Sequence, residues 1–111
     1  MKKITLYGIH LSPYVRKVAL ALRYKGVSYQ HNPVVPLPDA EKPDDFVKNS
    51  PLGKIPLLRV DDDYLPDSSV ICAWIERAYP EPPLLSSDPL LAAQALWFEE
   101  YADSVMVSVI S

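Results

Sequence analysis

Proline constrains this chain more than any other residue type. Twelve of its 111 residues are proline, and each one removes a main-chain donor and fixes φ at about −65°. Such a residue is tolerated in the first turn of a helix, at the first position of a strand or in a turn, and it ends whatever else it meets. Most of the prolines fall between stretches of regular apolar patterning, so they mark element boundaries.

Lys3 to Tyr7 reads as a first strand and Gly8 to Leu11 as a loop. Ser12-Pro13 then gives a helix start, with the hydroxyl at the N-cap and proline as the first helical residue. Val15, Val18, Ala19 and Leu22 recur on one face while Arg16, Lys17, Arg23 and Lys25 lie largely off it, and Gly26 supplies the stop. This predicts a helix from about Ser12 to Lys25. Val27 to Asn32 reads as a second strand, ended by the run Pro33 to Pro38. Strand, helix and strand in so little chain imply a parallel, right-handed crossover.

Residues 36 to 49 are polar and irregular, with a short helix around Pro43 to Lys48, and read as a surface loop that touches ligand. Leu57 to Val60, the turn Asp61-Asp62-Asp63 and Tyr64-Leu65-Pro66 make a hairpin. Asp67-Ser68-Ser69 opens a helix whose Ile71, Trp74, Ile75 and Ala78 share a face, closed before Pro80. A proline-rich linker follows, and Asp88-Pro89 starts a helix predicted to run to the end. Leu91, Ala95, Phe98, Ala102, Val105 and Val109 form its apolar stripe, widened by Leu90, Trp97 and Tyr101. That face is too broad for one small sheet to cover, so further helices or a dimer are expected, the chain being the front part of a longer protein.

Composition narrows the function classes. With 49 % hydrophobic and 23 % charged residues the chain is of the globular type, and a net charge of −3 without a basic stripe argues against nucleic acid as main partner. No run of about 18 apolar residues is present, so no membrane span is expected. The first apolar run is broken by Gly8, His10, Ser12 and Pro13 before it could form a signal-peptide core. Cys72 stands alone, which excludes an internal disulfide or a cysteine-based zinc cluster and suits a reducing, cytoplasmic setting.

Three local features carry chemistry. The helix starts at Ser12 and at Asp67-Ser68 offer N–H groups without intrahelical partners and the positive end of the dipole, which favours an anion. Gly53-Lys54-Ile55-Pro56 precedes a strand; a Pro56 held cis would leave the Ile55 main chain free to hydrogen-bond an extended peptide. Taken singly, each has a plainer reading: two ordinary caps, a strand start and a solvated lysine. Cys72 reads as a small buried hydrophobe, Tyr7 as strand-end packing, Tyr14 as a pocket wall or dimer contact and His10 as a residue at the pocket entrance. His31 reads as a surface residue and the three aspartates as a solvated turn, with no metal-ligand spacing among them.

In this order and spacing, Ser12-Pro13-Tyr14 with Arg16-Lys17-Val18, Asn49 to Pro56, and Asp67-Ser68 with the Ile71 to Ile75 helix resemble the glutathione transferases. The resemblance covers the whole chain and is nearest to the serine-type classes, theta-like, zeta-like and bacterial. It implies an α/β, thioredoxin-like domain of βαβ-α-ββα order over residues 1–79, a linker over 80–88, and the first helix of an all-α domain over 89–111. By the same resemblance Ser12 would be catalytic, donating to the glutathione sulfur, and Ile55, ahead of Pro56, would pair its main chain with the cysteinyl unit. Ser68 and the N–H groups above it would hold the γ-glutamyl carboxylate, Asp67 the ammonium, and Lys54 or Lys42 the glycyl carboxylate. The family's usual glutamate before that serine is here Asp67, one methylene shorter. Glu99 or Asp103 of a partner subunit would assist across a homodimer. No cofactor is implied beyond glutathione as co-substrate, the second substrate being a small electrophile.

The implied activity is a detoxifying conjugation in the cytoplasm. Two other functions remain beside it: a non-catalytic module that keeps the fold for binding, and a glutaredoxin-like thiol oxidoreductase. The latter is disfavoured because Ser12 and Val15 occupy both sulfur positions of a Cys-Pro-Tyr-Cys pair.

Overall fold

The computed structural model describes residues 2–84 and Leu90. Within them the order is β1 (Ile4–Tyr7), α1 (Pro13–Tyr24), β2 (Gln30–Asn32), α2 (Asp44–Asn49), β3 (Leu57–Val60), β4 (Asp63–Pro66) and α3 (Ser68–Ala78). This is the expected βαβ-α-ββα sequence of a thioredoxin-like domain. The helix expected over 89–111, with Glu99 and Asp103, lies outside the described residues apart from Leu90.

The four strands form one sheet of order β2-β1-β3-β4. β1 and β2 are parallel, Thr5 opposite Gln30 and Tyr7 opposite Asn32. β3 runs antiparallel to both β1 and β4. Because strand side chains alternate between faces, neighbours in sequence enter different cores. Ile4, Leu6, Leu58 and Val60 meet Val15, Val18, Ala19, Ala21 and Leu22 of α1 and Ile71 and Ile75 of α3. On the other face Tyr7 and Leu57 pack with Val34 and with Phe46 of α2. Full burial of a Leu, Ile or Phe side chain stabilises by about 1.5–3 kcal/mol, so the α1/α3 layer supplies most of the apolar stabilisation.

Helix boundaries follow the sequence closely. Ser12 is the N-cap of α1 with Pro13 at its first turn, and Lys25 is the C-cap. Asp67 caps α3. Lys25 departs from its expected place off the apolar face: its side chain is fully buried and its ammonium lies 2.9 Å from Glu76 of α3. The long lysine side chain at the end of α1 can enter the core because α3 brings a carboxylate to its ammonium. The second strand is shorter than the Val27 to Asn32 run, because the Val27 N–H closes onto Leu22 O at the helix end. On α3, Ile71 and Ile75 are buried, Trp74 is half-buried and Ala78 is exposed.

Candidate functional site

The strand register aligns the site. Tyr7, the last residue of β1, stands opposite Asn32 and Leu57, and Leu57 stands opposite Pro66. All four strands therefore reach one line at the same end of the sheet. The loop to Ser12, the Ile55-Pro56 segment and the Asp67-Ser68 helix start all leave from that line, and α1 and α3 begin there on the same face.

Gly8 makes the junction close. Its N–H bonds Asn32 O at 2.8 Å and its φ is +136°, a conformation that L side chains rarely adopt. A Cβ there would lie 2.5 Å from Val15 Cγ2 and 3.0 Å from Ile55 Cβ. The first turn of α1 and the Ile55 segment thus both pack against a main chain that only glycine fits.

Ser12 is half-buried, and its Oγ accepts the Val15 N–H at 3.3 Å. Its N–H goes to Ile9 O at 3.2 Å and its carbonyl takes Arg16 N–H at 3.1 Å. The hydroxyl proton remains free to donate, and the Tyr14 N–H is unused among the described residues. The Ile55-Pro56 bond is cis. No described residue hydrogen-bonds the Ile55 main chain, so it is open to a peptide.

Asp67 sits at φ 75°, ψ 121°, a sparsely populated region for a residue with a side chain. Its Oδ1 accepts from Ser69 N at 2.8 Å and Val70 N at 3.4 Å. The main-chain donors just above Ser68 are thereby taken by Asp67. The buried Ser68 keeps its own N–H and hydroxyl at the positive helix end, without a partner among the described residues. Lys54 is exposed and unpaired among the described residues. Lys42 differs: its ammonium donates to Leu37 O at 2.6 Å and Ala40 O at 3.3 Å, closing its own loop.

A polar cluster on the α2 face was not visible in the sequence. Asp45 Oδ2 accepts from both the Tyr7 and the Tyr64 hydroxyls, the latter at 3.0 Å, and Arg59 approaches it to 3.7 Å. Arg59 also lies 5.6 Å from the Tyr64 ring centre. Burial and then the Asp45 carboxylate push the Tyr7 hydroxyl up to about 12. Burial raises the Asp45 carboxyl, but hydrogen bonds from Tyr7, Tyr64 and the Phe46 N–H outweigh it and hold the group below its ordinary value. Tyr7 is thus a neutral packing residue turned away from Ser12. The His10 and His31 rings lie 4.2 Å apart, tilted by 44° to one another, at the loop to Ser12, with His31 Nε2 against Gly8 O. Desolvation, then the charges of His31, Arg23 and Arg16, lower the His10 value. Among the described residues no group of three or more ligating side chains could hold a metal, and no helix is long and apolar enough to cross a membrane.

Comparison with known proteins identifies the family of this fold. A family model described as "Glutathione S-transferase, N-terminal domain" matches residues 6–83. The chain is 38 % identical over 86 residues to Glutathione S-transferase Z2 of Arabidopsis thaliana, covering 78 % of this chain and 39 % of that protein. It is 37 % identical over 92 residues to a maleylacetoacetate isomerase of Pseudomonas aeruginosa, covering 80 % and 43 %. A glutathione S-transferase from Methylobacterium radiotolerans, solved in complex with glutathione sulfonate, superposes with a TM-score of 0.86 at 32 % identity over 97 % of this chain and 50 % of that one. The chain spans about two fifths of the length of these curated relatives. With the match spanning the described fold from the end of β1 through α3, the chain belongs to the glutathione S-transferase family, of which it carries the N-terminal domain.

Proposed function

We propose that this chain binds glutathione at the common strand end and ionises its thiol for attack on a small electrophile. The observation that carries the reading is the Tyr7, Leu57 and Pro66 register, which brings Ser12, Ile55 and Ser68 to one end of the sheet. Ser12 is the catalytic residue, donating its free proton to the sulfur while accepting from Val15. Ile55, ahead of Pro56, pairs with the cysteinyl main chain. The Ser68 N–H and hydroxyl hold the γ-glutamyl carboxylate, and the spare Asp67 oxygen faces the ammonium. Lys54 takes the glycyl carboxylate, since Lys42 would first have to release two carbonyls of its own loop.

The magnitudes are sufficient. A free thiol has a pKa of roughly 8.5, and lowering it by about two units requires about 2.7 kcal/mol. A hydrogen bond to a charged acceptor contributes about 1.5–3 kcal/mol and a helix N-terminus up to about 2 kcal/mol. No general base is needed. Glutathione is the co-substrate, and residues 1–79 are the binding unit, joined by a linker over 80–88 to the start of a helical domain over 89–111. A cytoplasmic homodimer in which Glu99 or Asp103 of one subunit reaches the other's glutathione fits the same reading.

The test is titration of the chain with glutathione by calorimetry, followed by thiolate absorbance and conjugation of a model aromatic halide. Ser12→Ala is expected to raise the bound thiol's pKa by about two units with a smaller loss of affinity. Unchanged absorbance and rate in that variant would remove the role given to Ser12. A second reading is a glutathione-binding module without activity; binding without conjugation identifies it.

A further inference from the structure

Resting on the proposed glutathione site, we infer that Asp45 is a positioning residue: it anchors α2, and through α2 the turn that presents the Ile55 main chain. The reasoning starts from the weakness of α2 itself. It has six residues and its N-cap, Pro43, makes no side-chain capping bond, so a helix this short has no stability of its own. Two ties hold it to the sheet. Phe46 is fully buried, and Asp45 accepts the hydroxyls of Tyr7 from β1 and Tyr64 from β4. Asn49 Nδ2 adds a bond back to Asp45 O at 2.8 Å.

The end of α2 passes directly into the site. Ser50 N–H bonds Phe46 O at 2.9 Å, and Gly53 N–H bonds Ser50 O at 2.9 Å. The Ser50 hydroxyl donates to Lys54 O at 3.1 Å, which fixes the residue before Ile55. From the other direction, Tyr7 precedes Gly8, the residue against which Ile55 and Val15 both pack. Asp45 therefore links the strand end that leads to Ser12 with the turn that presents Ile55. It touches none of the groups assigned to glutathione, so its influence passes through them.

Because the sulfur is ionised by Ser12 and the cysteinyl unit is held by Ile55, loss of the Asp45 tie weakens binding without altering the thiol. The experiment uses the whole chain and measures the glutathione Kd by calorimetry, the bound thiol's pKa by thiolate absorbance, and Tm. Asp45→Asn is expected to raise Kd about tenfold and Tyr64→Phe about threefold, with the bound thiol's pKa unchanged in both. Glu76→Gln, on the opposite face, serves as a stability control: it is expected to lower Tm at least as far as Tyr64→Phe with Kd unchanged. Should Asp45→Asn fail to fold, Tyr64→Phe decides. An unaltered Kd in the Asp45 and Tyr64 variants overturns the inference, as does a Kd that simply follows Tm across all three. If the wild-type chain bound no glutathione, the proposed function would fall and this inference with it; wild-type binding indifferent to Asp45 and Tyr64 would sink the inference alone.

Discussion

The two faces of the sheet are stabilised by different physics. On one, two helices of 12 and 11 residues bury eleven apolar side chains, and its charged pair, Lys25 with Glu76, joins the end of α1 to α3 and the following chain through Leu84 N–H. On the other, a six-residue helix contributes Phe46 to a cluster of four buried side chains among the described residues, and Asp45, bonded by the Tyr7 and Tyr64 hydroxyls and approached by Arg59, completes it with directional bonds. Apolar burial is large but non-directional, whereas hydrogen bonds add less and fix geometry. The thick face gives the domain its stability. The thin face spends little area and instead determines where the Ile55 turn sits.

The largest effect that separates the faces comes from their cores. Phe46→Ala should cost about 3–5 kcal/mol locally and Leu22→Ala about 2–5 kcal/mol, but with different reach. Amide hydrogen exchange should show Phe46→Ala stripping protection from residues 44–54 while α1 and α3 lose less, because α2 can undock without global unfolding. Leu22→Ala should lower protection throughout. Equal losses in all elements for both variants would show one cooperative unit and erase the distinction between the faces.

The same contrast explains what could be read in advance. On the thick face the sequence is redundant: Ser12-Pro13, the Val15 to Leu22 periodicity and Gly26 all point to one helix, and its observed caps are Ser12 and Lys25. Leu57 to Val60 is bounded by Pro56 and three aspartates and is a strand of that length. The burial of Lys25 was illegible because its partner, Glu76, lies 51 residues away. The Asp45 cluster was illegible for the same reason: it joins residues from β1, α2, β3 and β4, and no local pattern records such a meeting. Lys42 read as a ligand for a carboxylate because a lysine in a polar loop looks available; only the fold shows its ammonium turned onto Leu37 and Ala40 carbonyls.

A moderate effect distinguishes the faces by pH. Tyr7 titrates at about 12 in the folded chain against about 10 when unfolded. Its contribution is therefore complete below pH 10 and disappears as pH rises from 10 toward 12, where the unfolded chain sheds a proton that the folded chain retains. Asp45, held below its ordinary value, contributes above about pH 4 and loses that contribution as pH falls. Tyr7→Phe should cost about 1.5 kcal/mol near neutrality and should shrink the alkaline limb of stability against pH, with the Tyr64 hydroxyl, also raised by burial and by Asp45, supplying what remains. Glu76→Gln should keep the full limb. A Tyr7→Phe chain whose denaturation midpoint still fell as steeply between pH 10 and 12 would show that the limb arises elsewhere.

The smallest effect locates the edge of the thin face's polar cluster. Arg59 lies 3.7 Å from Asp45 and equally 3.7 Å from Asp62, yet the Asp62 carboxylate is fully exposed at the hairpin tip. Water screens that pair, and ordering two side chains offsets much of the attraction, so Asp62→Asn should change stability by less than about 0.5 kcal/mol. Arg59 keeps its direction without Asp62, since its Nε donates to Asp61 O at 2.7 Å. Urea denaturation of Asp62→Asn beside Tyr64→Phe makes the comparison directly. A cost for Asp62→Asn as large as that for Tyr64→Phe would mean that the hairpin tip belongs to the cluster, and that the thin face is held by an ion-pair network rather than by two hydroxyls on one carboxylate.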